Sequence, residues 1–343
     1  MSEKTLHETA LAMVATGKGI LAADESTGTI KKRFDKIGVD NVEPNRQAYR
    51  DMLFTTPGFE QYTSGVILFE ETLFQKGLDG TPFPQLLESK GVIPGIKVDA
   101  GAKPLAGGGP EETVTEGLDG LRERLVKYKA AGARFAKWRA VIVISDDDAE
   151  EATPSDYAIH VNAHALARYA KLCQEAGIVP IVEPEVLMDA DNSIEVCEEV
   201  TDVVLQAVFN ELAAQEVLLE GIVLKPNMVI SGIKCKEQAS VQEVAERTLK
   251  LLKRRVPPAV PGIAFLSGGQ SDELATAHLD AMNKLGPLPW KLTFSYGRAL
   301  QAAALKAWGG KDVEAGKKAH LHRAKMNGLA AKGEWSESLE KAA

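Results

Sequence analysis

The sequence predicts an α/β fold, a single (β/α)8 barrel over residues 1–310 followed by a C-terminal tail over residues 311–343. Short β-rich runs alternate eight times with longer stretches of helical spacing. That alternation requires parallel strands joined by crossover helices, because parallel neighbours cannot be joined by a hairpin. No Pro/Gly/Ser-rich linker divides the repeats, and 343 residues with 45% hydrophobic content can bury one large core. Eight units in that length fit one closed barrel better than two doubly wound domains. A doubly wound sheet is the alternative.

In chain order, the first three strand runs are Gly19–Ala22, Gly65–Phe69 and Gly95–Val98. Phe135–Ile142 follows, longer than its fellows and expected to hold a shorter strand. Val179–Val182, Gly221–Leu224, Gly262–Leu266 and Lys291–Phe294 complete the set. Helices are expected between them. Thr5-Leu6-His7-Glu8 has capping-box spacing, and Thr153 before Pro154 offers an N-cap with proline at the first helical position. Glu116–Gly132 and Asp156–Gly177 carry apolar residues at helical spacing and stop at glycine. Ala106–Pro110 reads as a loop and the acidic run Asp146–Glu151 as a solvated one. Beyond about Lys311 the pattern loosens, which predicts an appended tail free to move.

In a barrel of this kind the active site lies at the C-terminal ends of the strands. Here those ends carry, in order, Asp24 with Glu25, Glu70 with Glu71, Lys97 with Asp99, Lys137 with Arg139, Glu183 with Glu185, Lys225, Ser267, and Ser295 with Arg298. Residues two apart on a strand point the same way, which gathers lysines, arginines and carboxylates in one mouth. Cations around a small concave site suit an anionic substrate. Ser267-Gly268-Gly269 and Ser295-Tyr296-Gly297-Arg298 follow the last two strands, where barrels of this type hold phosphate on backbone N–H groups. Crowding by cations and removal from water disfavour the charged form of an amine, so a lysine here can supply a nucleophile for a Schiff base with a ketone. The iminium is an electron sink for breaking or making the adjacent carbon–carbon bond. Glu183 can serve as the acid that dehydrates the carbinolamine, and Asp24 as the base on a substrate hydroxyl.

Other function classes fit less well. A formal charge of −8, a pI near 5.5 and no basic cluster longer than Lys253-Arg254-Arg255 argue against a nucleic-acid partner. No apolar run approaches the roughly 20 residues of a membrane span, and the first twenty residues, interrupted by His7 and Glu8, lack a secretory pattern. Cys173, Cys197 and Cys235 show no CxxC spacing and read as reduced thiols, so a cytoplasmic location is expected. His160 and His164 form the one helical i,i+4 histidine pair, without a third ligand nearby, and read as helix surface rather than a metal site. No cofactor motif appears: no G-x-G-x-x-G follows a strand, and there is no Walker sequence.

Seven blocks carry a family resemblance: GKGILAADESTG at 17–28, GIKVDAG at 95–101, FAKWR at 135–139, GIVPIVEPE at 177–185, GIVLKPNM at 221–228, FLSGGQS at 265–271 and LTFSYGRALQ at 292–301. With them the chain resembles class I fructose-1,6-bisphosphate aldolase over roughly residues 5–310. The resemblance implies a metal-free, cofactor-free lyase that cleaves fructose 1,6-bisphosphate reversibly into dihydroxyacetone phosphate and glyceraldehyde 3-phosphate. It implies Lys225 as the Schiff-base lysine, Lys137 as the lysine assisting carbinolamine formation, Glu183 as the acid/base with Glu185 beside it, and Asp24 as the base on the C4 hydroxyl. Ser267, Gly268, Gly297 and Arg298 match the cradle for the C1 phosphate. Ser26, Thr29, Lys97 and Arg139 match the region receiving the far phosphate, with threonine at 29 where serine is more usual. It also implies a homotetramer. Many members end in a tyrosine that mediates proton transfer at the enamine carbon, whereas here the nearest tail aromatic is Trp335. That step therefore falls to a site carboxylate such as Glu183, or to water. A barrel that has lost its chemistry and serves as a scaffold, and a Schiff-base aldolase for another phosphosugar, are the alternatives.

Overall fold

Residues 3–145 and 152–341 are described by the structure, a computed structural model. The acidic run Asp146–Glu151 lies outside the described residues. In chain order the elements are α1 (Glu3–Met13), β1 (Gly19–Ala23), α2 (Thr27–Asp35), α3 (Glu43–Thr55), β2 (Thr63–Leu68), α4 (Glu70–Phe74), α5 (Phe83–Ser89) and β3 (Ile93–Lys97). A hairpin, β4 (Gly101–Pro104) and β5 (Thr113–Glu116), precedes α6 (Leu121–Ala130) and β6 (Phe135–Ile142). Then come α7 (Asp156–Ala176), β7 (Val179–Val186), α8 (Ile194–Ala214), β8 (Val223–Leu224), α9 (Val241–Arg255) and β9 (Gly262–Phe265). The chain closes with α10 (Asp272–Lys284), β10 (Lys291–Tyr296), α11 (Arg298–Trp308), α12 (Val313–Ala330) and α13 (Glu337–Glu340).

Eight parallel strands form the expected closed barrel in the order β1, β10, β9, β8, β7, β6, β3, β2. β1 pairs with both β2 and β10, which closes the barrel without an edge strand. Side chains alternate across each strand, and the inner column changes character along its length. Its lower part is apolar: Ile20, Ala22, Ile67, Phe135, Val179, Ile181, Val223 and Ala264 form one buried cluster, plugged from below by Leu6, Ala10 and Met13 of α1 and by Val14 just after it. Two residues further up the same columns stand Asp24, Lys137, Glu183 and Lys225. The outer faces pack on the helices in a second, larger core.

Several local expectations are corrected. β6 runs the whole of Phe135–Ile142 because β7 extends to Val186 and pairs with it throughout. β8 contains only Val223 and Leu224, although the Lys225 N–H still donates to Val182 O at 2.8 Å. The stretch expected as helix from Glu116 begins as a strand, since Thr113-Val114-Thr115-Glu116 pairs with Gly101–Pro104, and the helix starts only at Leu121. Ser155 rather than Thr153 caps α7, accepting from Ala158 N at 3.1 Å, and Gly177 ends it at φ 71° as expected. α1 includes Glu3, so Thr5 lies inside the helix instead of capping it.

Beyond Lys311 the chain folds as α12, docked between α3, α10 and α11. Its buried face is Gly316, His320, Arg323, Ala324, Met326, Asn327, Gly328 and Ala330, a mixture of polar and small residues whose period is hard to see in hydropathy. A Cβ at Gly316 would sit 3.0 Å from Trp308 Cβ, so that glycine lets α12 lie close on α11. Among the described residues no helix is long and apolar enough to cross a membrane. All three cysteines are free thiols.

Candidate active site

The change from apolar to charged on the inner columns places four side chains in a row. Lys225 Nζ stands 3.2 Å from Glu183 Oε1, and Lys137 Nζ stands 3.4 Å from Glu183 Oε2 and 3.1 Å from Asp24 Oδ2. Lys225, Glu183 and Lys137 are buried. The backbone of Lys225 is fixed on both sides, by its N–H to β7 and by Leu266 N donating to Pro226 O at 3.2 Å. Proline after Lys225 also biases that residue to extended geometry, which aims its stem into the barrel.

Charge balance sets the protonation states. Burial pushes the Asp24 carboxyl up, but the ammonium groups of Lys137, Lys225 and Lys97 outweigh it and bring the pKa down to about 2. Burial pushes the Lys137 ammonium down, and Asp24, Glu183 and Asp99 reverse that and raise it above the usual lysine range. Asp24 is therefore a carboxylate and Lys137 a fixed cation at neutral pH. Glu183 Oε2 makes no hydrogen bond beyond its ion-pair contact with Lys137.

Above this row lies a cleft of about 300 Å³ lined by Asp24, Ser26, Thr29, Lys97, Lys137, Arg139 and Gly297, together with Glu25, Arg33 and Asp99. Ser26 caps α2 and its Oγ is 3.1 Å from Thr29 Oγ1, which brings two hydroxyls together at a helix start. Lys97 Nζ is held by Asp99 Oδ1 at 2.5 Å, and Arg139 Nε donates to Glu185 Oε2. Burial opposes the charge on Arg139, but Glu185 beside it raises its pKa further. A Cβ at Gly268 would crowd Met188 at 2.9 Å and Glu185 Oε1 at 3.2 Å, and Gly269 at φ 72° is left-handed. The loop after β9 is thus limited to small residues.

Most of the expected residues meet at this mouth, but not all in one cavity. Lys225 and Glu183 lie behind Lys137 and do not line the cleft. Arg298 instead faces a neighbouring depression between α2 and α11, which it shares with Arg33. Of the other strand ends, Glu70 pairs with Lys127 at 3.3 Å and Glu71 with Arg46 at 2.6 Å, because both belong to α4 and point away. Glu25 is buried between Arg33 and Arg50, with Gln301 Nε2 donating to it at 2.8 Å, and serves the packing. Arg33 was missed as a site residue. It lies four residues after Thr29 on α2, and that i,i+4 spacing was the available signal. His160 and His164 sit on the surface of α7 beside Glu211. Trp335 is docked against α10, its backbone N–H donating to Asp280 Oδ1 at 2.9 Å and its indole Nε1 to Glu340 Oε1 at 3.0 Å, and it does not line the cleft.

Comparison with known proteins places this geometry among relatives. Residues 5–343 match the family described as fructose-bisphosphate aldolase class-I. A probable fructose-bisphosphate aldolase class 1 of Xanthomonas campestris is 59% identical, covering 98% of this chain and 99% of the relative. Fructose-bisphosphate aldolase 4, cytosolic, of Arabidopsis thaliana is 56% identical over 92% of this chain and 80% of its own. A solved structure of fructose-bisphosphate aldolase from Plasmodium falciparum, in complex with TRAP and a small molecule inhibitor, superposes with a TM-score of 0.94 at 53% identity, covering 97% of this chain and 95% of that one.

Proposed function

The chain belongs to the class-I fructose-bisphosphate aldolase family, and from that premise we propose which residues carry out the reversible cleavage of fructose 1,6-bisphosphate through a lysine Schiff base. The observation that carries the reading is the unbroken row Lys225, Glu183, Lys137, Asp24, with contacts of 3.1 to 3.4 Å. Lys225 Nζ adds to the C2 ketone, and Glu183 takes a proton from the amine and returns one to the carbinolamine hydroxyl, which leaves as water. Lys137, held charged by its two carboxylates, stabilises negative charge as it develops on that oxygen. Asp24 removes the C4 hydroxyl proton, the C3–C4 bond breaks, glyceraldehyde 3-phosphate departs, and the bonding pair moves into the iminium to give an enamine. Glu183 or water protonates the enamine carbon, and hydrolysis frees dihydroxyacetone phosphate and Lys225.

The two phosphates have separate places. Ser267, Gly268, Gly297 and Arg298 receive the C1 phosphate, and Ser26, Thr29, Lys97 and Arg139 the far one, with Glu185 orienting Arg139. The reading places the protein in the cytoplasm, as its Arabidopsis relative is named cytosolic, and assembled as a homotetramer by family resemblance. Borohydride reduction in the presence of dihydroxyacetone phosphate tests it. The expected result is one adduct on the peptide holding Lys225, absent from Lys225→Arg. An adduct on another lysine overturns the assignment.

A further inference from the structure

Arg298 stands apart from the other phosphate-binding candidates because its guanidinium is already occupied. Nη1 donates to Asp272 Oδ1 at 2.8 Å, and Nη2 donates to Ser267 O at 3.1 Å and to Gln270 O. Three of its five N–H groups are thus spent on the protein, and its side chain faces the depression between α2 and α11 rather than the cleft. The carboxylate that holds it does not follow it. Asp272 opens α10, and its backbone carbonyl accepts from the buried Arg323 Nη2 at 3.1 Å. Arg323 is itself clamped by Glu340 Oε2 at 2.6 Å, and that carboxylate also meets His322 Nε2 at 3.1 Å and Trp335 Nε1 at 3.0 Å.

We propose that Asp272 is a tuning residue for substrate phosphate: it restrains Arg298 outside the cleft, competes with the C1 phosphate for the guanidinium, and so weakens phosphate binding and speeds product release. The proposal rests on the reading of Arg298 as a phosphate-binding residue. Two effects of the carboxylate have the same sign. An arginine paired with it must break that pair to reach the phosphate, and a carboxylate within hydrogen-bond distance of the arginine repels the incoming dianion. The carbonyls of Ser267 and Gln270 remain as tethers when the charge is removed, so the loop keeps its brace. Arg298 is half-exposed although Asp272 is largely covered, which limits the effect to a modest factor and makes it sensitive to salt.

The test measures competitive inhibition by dihydroxyacetone phosphate, with fructose 1,6-bisphosphate as substrate, at low and at high ionic strength. Asp272→Asn is expected to lower the inhibition constant about three- to fivefold at low salt, the gap closing at high salt, with kcat unchanged or reduced. Asp272→Ser, which also keeps a hydroxyl at the helix start, is expected to show the same shift. An inhibition constant that is unchanged or raised, or a decrease that ignores salt, overturns the proposal. So does an equal decrease when Asp272→Asn is placed in an Arg298→Ala background, since no tether then remains to release. Arg298→Ala alone separates the two readings: if it leaves the inhibition constant where it was, the assignment of Arg298 to phosphate fails.

Discussion

At the residue scale, function here depends on which charges are fixed and which are free to exchange a proton. Asp24 is fixed. Its folded-state pKa of about 2 lies below the ordinary 3.8, so the ionised form stabilises the fold above about pH 4, and that contribution is lost as pH falls through 2. The stability advantage of the wild type over Asp24→Asn is therefore expected to shrink between pH 4 and pH 2, by on the order of 2 kcal/mol, as read by denaturant unfolding at each pH. An advantage that does not change with pH would show that the Lys137 contact leaves Asp24 unperturbed. Glu183 is the group proposed to pass the proton. Glu183→Gln keeps its shape and its place between two lysines but removes the base, and turnover is expected to fall by about 10² to 10⁴. Stopped-flow measurement of Schiff-base formation locates the loss, and a defect confined to later steps would move the acid/base role at the carbinolamine elsewhere.

At the element scale, each strand combines an apolar lower half, which fills the barrel, with a polar end, which works at its mouth. Phe135 shows how tightly the lower half is packed. Its ring fills the space above Gly65 and Gly95, and a Cβ on Gly95 would overlap ring carbons of Phe135. Gly95→Ala is expected to cost about 1–3 kcal/mol through overpacking, measured by urea unfolding. A second effect follows from the same column, since Lys97 and Lys137 lie one pleat above, and KM for fructose 1,6-bisphosphate should rise with the displaced ring. An unperturbed midpoint in urea would mean that the ring can move away. These strand identities were legible in sequence because alternation and polar ends recur eight times. The β4–β5 hairpin was not, because Thr113–Glu116 lies next to a helix and its pairing partner is set by a loop between them. The true length of β6 was also hidden, since pairing with β7 decides where the strand stops.

At the scale of the whole molecule, the C-terminal segment is part of the body. α12 covers Trp308 and Met52, and its Arg323, buried and paired with Glu340, joins the chain end to the start of α10. A chain ending at Lys311 is expected to lose more than about 10 °C in Tm or to aggregate, because it uncovers a core face and strips partners from buried polar groups. A Tm within a few degrees of the full chain would make the segment an appendage after all. A chain ending at Gly333 tests a separate point: tritium exchange at the enamine carbon should proceed as in the full chain, since Trp335 does not line the cleft and its indole N–H is engaged by Glu340. Slow exchange with intact carbon–carbon cleavage would assign the proton transfer to the tail.

The sequence by itself determined the barrel and the polar strand ends that form its mouth, because strand periodicity and long motifs are local properties written in consecutive residues. Tertiary structure alone decided that Glu183 lies between two lysines, that Glu25 is held by Arg33 and Arg50 while Glu70 and Glu71 turn away, that Arg298 is held by Asp272, and that α12 is core. Each of these is a contact between residues distant in the chain. Their partners are set by strand register and helix docking, for which no single stretch of sequence carries a period.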